Sequence, residues 1–84
     1  MEVRLLSSAL TDFQRLDRNV AGRVVQRLAR LSKNFRQIPQ ERLTGELGHL
    51  FKFRVGDYRL LYELSADEAE IIVHEIKHRR EIYR

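Results

Sequence analysis

The stretch FKFRVGDYRLLYEL, from Phe51 to Leu64, constrains this chain more than any other. Two runs that mix aromatic, aliphatic and charged residues flank Gly56-Asp57, and a two-residue connection with glycine first is what a type II′ hairpin turn requires. That turn fixes the register. Val55 pairs with Tyr58, Arg54 with Arg59, Phe53 with Leu60, Lys52 with Leu61 and Phe51 with Tyr62. Side chains alternate along a strand, so one face receives Phe51, Phe53, Val55, Tyr58, Leu60 and Tyr62, and the other Lys52, Arg54, Arg59, Leu61 and Glu63. The first face needs cover from elsewhere in the chain.

The remaining sequence supplies it. Glu2 to Leu6 reads as an opening strand, ended by Ser7 and Ser8, either of which can cap a helix. Ala9, Phe13 and Leu16 recur at helical spacing, with Asp12 placed near the favoured end of the helix dipole. Asp17, Arg18 and Asn19 interrupt. A second helix carries Val20, Val24, Leu28 and Leu31 on one stripe, with Val25 beside it. Its Arg23, Arg27 and Arg30 read as a solvated face, the alternative being a stripe that faces RNA or a protein partner. Ser32 to His49 is irregular, broken by Pro39, Thr44, Gly45 and Gly48. Ala69 to Ile76 gives another strand, and His78 to Arg84 a tail or a single helical turn. The sum is an α+β fold: a small, mostly antiparallel β-sheet with an N-terminal two-helix hairpin packed on one face.

Length and composition set limits. Eighty-four residues allow one domain, and a chain of this size buries only about 60% of its unfolded surface. Without cysteine there is no disulfide framework and no zinc–thiolate site. No apolar run reaches the ~20 residues of a membrane span, and the N-terminus lacks the apolar core of a signal peptide. A cytoplasmic protein without a membrane partner is expected. The net charge is +4, and 13 of the 16 cations are Arg. Arginine's planar fork matches phosphate geometry, so a polyanionic partner is favoured.

The hairpin sharpens that expectation. Arg54 directly across from Arg59 is destabilising unless something anionic lies between them, and Glu63 is too far along the strand to neutralise both. Lys52 joins the pair, and Lys77, Arg79 and Arg80 add to it from the C-terminal end. This face looks like a phosphate cradle.

In Leu43-Thr44-Gly45, in the hairpin and in the ending HEIKHRREIYR from His74 to Arg84, the chain resembles the RelE side of the RelE/ParE toxins of bacterial type II toxin–antitoxin modules. The resemblance covers essentially the whole chain. It implies a RelE-like, microbial ribonuclease-type fold and metal-free, cofactor-free endonucleolytic cleavage of messenger RNA. The substrate would be mRNA on the ribosome, in the 30S A site, with the ribose 2′-hydroxyl attacking the adjacent phosphate. The family's basic pair falls on Lys52 and Arg54, its phosphate-binding arginine on Arg59, its next arginine on Arg79 and its C-terminal tyrosine on Tyr83. It also implies a cognate antitoxin protein, docked on exposed apolar residues along the helices and the sheet edge.

The chemistry needs a proton acceptor, charge stabilisation of a dianionic phosphorane and a proton donor. Lys52, Arg54 and Arg59 suit charge stabilisation. Arg54 stays protonated, so Lys52, among cationic neighbours, is the candidate base. Arg79 or His78 is the candidate acid, and Tyr83 can stack on a base. His74 reads as structural and His49 as a loop residue. Of the carboxylates close in sequence, Glu46 and Glu63, the latter is expected to orient an arginine. No spacing resembles a metal site. The alternative is a ParE-like toxin that poisons DNA gyrase without cleaving RNA; a third reading, an inactive basic binding domain, expects Lys52 and Arg59 to be dispensable for any growth phenotype.

Overall fold

The computed structural model describes residues 1–82 of the chain. Strand β1 (Glu2–Leu5) leads into helices α1 (Ser7–Gln14) and α2 (Arg18–Lys33). A two-residue strand β2 (Glu41–Arg42) and a 3₁₀ turn at Gly45–Leu47 precede β3 (Phe51–Val55), β4 (Tyr58–Leu64), β5 (Glu70–His78) and the short helix α3 (Arg79–Ile82). The five strands form one sheet in the order β1-β5-β4-β3-β2, antiparallel except for the β1–β5 pair. Among the described residues no helix is long and apolar enough to cross a membrane.

The hairpin forms with the register the turn dictates, from Phe51 opposite Tyr62 to Val55 opposite Tyr58. Gly56 has φ 59 and Asp57 does not share the positive-φ region, as a type II′ turn requires. Both helices cover the apolar face. Ala9 of α1 and Val20, Val24, Leu28 and Leu31 of α2 form one core with Phe51, Val55, Leu60, Tyr62, Ile71, Val73 and Ile76.

The entrance to α1 differs from expectation. Ser7 and Ser8 lie inside the helix, β1 stops at Leu5, and the capping position is Leu6, which offers no side-chain acceptor. Ser8 Oγ instead donates to the carbonyl of His74 at 2.7 Å. Asp12 lies in the second half of α1, away from its positive end. It is 7% exposed; Oδ2 accepts from the Ile76 N–H at 3.0 Å and Oδ1 from Lys77 Nζ at 2.8 Å. These contacts have one cause. The ladder between β1 and β5 ends at Leu5 and Val73, which leaves the rest of β5 without a strand on that side. Side chains of α1 satisfy the free backbone groups. Asp17 caps the start of α2, its side chain accepting from the Val20 N–H.

Strand β5 also contains a bulge. Leu61 pairs with Glu75 but Tyr62 pairs with Val73, so His74 is the extra residue. Strict alternation from Ile71 and Val73 would send Glu75 into the core. The bulge reverses this, placing Ile76 in the core and Glu75 on the face that carries Arg59.

The β5 anchor gives the first prediction. Asp12→Ala leaves a backbone donor and an ammonium unpaired, and is expected to cost about 1–3 kcal/mol in chemical denaturation, with Asp12→Asn costing less because its carbonyl still accepts one bond. The hydrogen bond it donates to Asp12 holds the Lys77 ammonium above its ordinary value of 10.5. A raised folded-state value means stability that is present below 10.5 and lost as pH climbs through it. The stability gap between wild type and Lys77→Met should therefore narrow above that pH.

Candidate functional site

The turn and the bulge together assemble the cationic face. Arg54 sits directly opposite Arg59. Arg59 turns toward Glu75, with Nη2 4.0 Å from Oε2, while its Nε is buried and makes no hydrogen bond among the described residues. A buried donor left unmade on a charged group costs about 1–3 kcal/mol or more, and such a group marks a place that an anion would complete. Arg79 enters from the start of α3. Its N–H donates to the Asp57 carbonyl at 2.8 Å and its Nη1 lies 3.9 Å from Asp57 Oδ1. Arg54, Arg59 and Arg79 thus line one shallow hollow, with Gly56, Asp57, Tyr58 and Ile82 completing its wall.

Lys52 lies in a second, larger hollow toward β2, lined also by Arg54, Phe53, Tyr62, Gln40 and Glu41. Its Nζ is 3.5 Å from Glu41 Oε1, so the charged partner beside it is a carboxylate rather than the cations expected. Arg54 lines both hollows and joins them. The outer wall is held by Tyr62, whose hydroxyl donates to Gln40 Oε1. Gln40 Nε2 donates in turn to the carbonyls of Phe35 and Ile38. Burial pushes the Tyr62 phenol up to about 12, so it remains a donor at neutral pH.

Other expected residues go elsewhere. His78 is the ladder partner of Tyr58 and meets its ring edge-on at 5.1 Å, on the helix-covered side of the sheet, with Nδ1 accepting from the Arg80 N–H. Lys77, across from Arg59, is drawn to Asp12. Glu63 pairs with His74, Nε2 to Oε1 3.0 Å, and not with an arginine. Glu46 and His49 are exposed in the segment before β3. Tyr83 lies outside the described residues. Among those residues, no group of three or more His, Asp or Glu stands close enough to hold a metal ion.

Sequence reasoning missed the three carboxylates that accompany the cations: Glu41, Asp57 and Glu75. Asp57 was readable as a turn residue only, Glu41 lies on a strand too short to show a period, and the bulge hid Glu75. With a carboxylate so near Arg59, Glu75→Gln should strengthen binding of inorganic phosphate by about 1 kcal/mol, roughly fivefold, by removing a competing charge. Chemical-shift titration of the Arg59 Nε–H resonance measures it.

Comparison with known proteins agrees with this architecture. Residues 3–83 match the family described as the ParE toxin of the type II toxin–antitoxin system parDE. The toxin RelG of Mycobacterium tuberculosis (strain ATCC 25618 / H37Rv) is 30% identical over 83 residues, 98% of this chain and 94% of that protein. The toxin–antitoxin complex RelBE2 of Mycobacterium tuberculosis contains a chain that superposes with a TM-score of 0.80 at 28% identity, covering 93% of this chain and 96% of that one. The isolated E. coli RelE toxin shares the fold, with a TM-score of 0.76 at 18% identity over 92% of this chain and 82% of that one. From the match over nearly its full length, the chain belongs to the ParE toxin family within the RelE/ParE superfamily of type II toxin–antitoxin toxins.

Proposed function

We propose that this toxin is a metal-free endoribonuclease that cuts messenger RNA in the ribosomal A site and so inhibits translation, and that a cognate antitoxin silences it. The observation that carries the reading is the opposed pair Arg54 and Arg59, with the buried Arg59 Nε unspent. A phosphate dianion takes up that donor and relieves the repulsion of the pair. The similarity to RelG supports the same reading, and the similarity to chains from toxin–antitoxin complexes supports the antitoxin.

In this mechanism the ribose 2′-oxygen attacks the adjacent phosphorus and gives up its proton, and the bond from phosphorus to the 5′-oxygen breaks. The products are a 2′,3′-cyclic phosphate and a 5′-hydroxyl. Arg54, Arg59 and Arg79 stabilise the charge on the phosphorane. Lys52 is the member of the set that can release a proton and accept another, so it takes the base role. Arg79 stands on the cationic face and serves the leaving oxygen; His78 would serve it only after its ring left Tyr58. Tyr83 stacks on a base.

A second reading has one observation in its favour: the matching family is the ParE family. In that reading the toxin poisons DNA gyrase and leaves RNA intact. Primer extension on a reporter message after induction separates the two. The ribonuclease reading expects translation-dependent cuts within the coding region, reduced about a hundredfold or more in Arg59→Ala and strongly in Arg79→Ala. Intact message with accumulating DNA damage would establish the gyrase reading, and normal growth without either would sink both.

A further inference from the structure

Arg23, Arg27 and Arg30 of α2 do not face away from the sheet. At 100° per residue, Arg23, Arg27 and Arg30 sit only about a quarter turn from the Val20–Val24–Leu28–Leu31 stripe, so they overhang the edge of β3. The guanidinium of Arg23 lies over the hairpin turn, 3.3 Å from where a Cβ on Gly56 would stand. Arg27 lies over the ring of Phe53, 5.9 Å from its centre. Arg27 and Arg30 line the larger hollow together with Lys52 and Arg54, where Glu41 is the one carboxylate among the described residues of the wall. The short β2 pairs only with Phe51 and Lys52, so this hollow follows a stretch of β3 that no strand covers.

We propose that this cleft is a track for the backbone of single-stranded RNA, which enters past Arg30 and Arg27 and runs along β3 to Arg54 and Arg59. The inference rests on the ribonuclease reading and adds a binding subsite to it. Four residues of helix rise about 6 Å and three about 4.5 Å, a spacing on the scale of successive phosphates along one strand, about 3.4 Å apart when stacked and longer when extended. The charge also fits: among the described residues, four cations stand against one carboxylate in the wall. A protein partner would seek apolar anchors, yet the large apolar side chains most exposed among the described residues, Met1, Val3, Leu10, Val25 and Leu47, all lie outside this lining. Stacking on Phe53 holds Arg27 in place, so less ordering is required when a phosphate arrives.

The test is binding of a fluorescein-labelled single-stranded oligoribonucleotide to the full chain across a salt series. Arg27→Gln/Arg30→Gln should weaken binding at least tenfold near 0.1 M salt. It should also lower the slope of log affinity against log salt by about 1.4, two phosphates at ~0.7 each. Arg4→Gln/Arg15→Gln removes the same charge from outside the cleft and should change affinity less than about threefold. Arg27→Lys/Arg30→Lys should restore most of the slope, which separates lost contacts from lost folding. Unchanged affinity and slope in the glutamine variant would overturn the track, even where primer extension still shows cleavage. So would normal RNA binding coupled with escape from antitoxin, which would make this a protein surface. If wild type binds through the track but cuts no message, the ribonuclease reading fails and the track stands.

Discussion

Everything on the cationic face depends on how β5 ends. Past Val73 it loses its neighbour β1, and two side chains of α1, Ser8 and Asp12, take over the bonding that a strand would otherwise provide. Within the same stretch the bulge at His74 moves Ile76 into the core and Glu75 out of it. A helix seated against a strand edge and one additional residue therefore set which groups meet Arg59. The buried charge of Asp12 is tolerated because both oxygens are occupied, one by a backbone donor and one by Lys77.

The hairpin was legible down to its register because a two-residue turn leaves the pairing no freedom, and the alternation of Phe51 to Tyr62 left no doubt about the buried side. The second helix was legible for the same reason, its stripe being strictly periodic. What escaped was whatever tertiary packing decides. Two residues of β2 carry no pattern. Ser7 and Ser8 have the chemistry of caps, but β5 presented Ser8 with a carbonyl. Glu63 had the chemistry to orient an arginine, but the bulge placed His74 beside it. The arginine stripe was visible as a spacing, but its direction depended on the angle at which α2 crosses the sheet.

The cations of the face are not bare. Lys52 stands near Glu41, Arg59 near Glu75 and Arg79 near Asp57, at 3.5, 4.0 and 3.9 Å. These separations exceed a good charge-assisted hydrogen bond, so each carboxylate moderates repulsion without using up the donors. That lets one sheet face gather several positive charges and still fold, while its donors stay available to a ligand.

The Tyr62–Gln40 bond has a consequence for how such a protein can diverge. Ile38, Pro39 and Gln40 line one bank of the larger hollow, and their segment is tied to the sheet by the Gln40 amide at the Tyr62 hydroxyl and by Phe35 and Ile38 packed on the core. Phe35 and Ile38 hold the segment to the core, whereas Gln40 is fixed by polar bonds, so the exposed Pro39 and Glu41 on either side of it can change size or charge without disturbing the core beneath. The width of the hollow can thus drift from one relative to the next while the hairpin that carries Arg54 and Arg59 stays fixed.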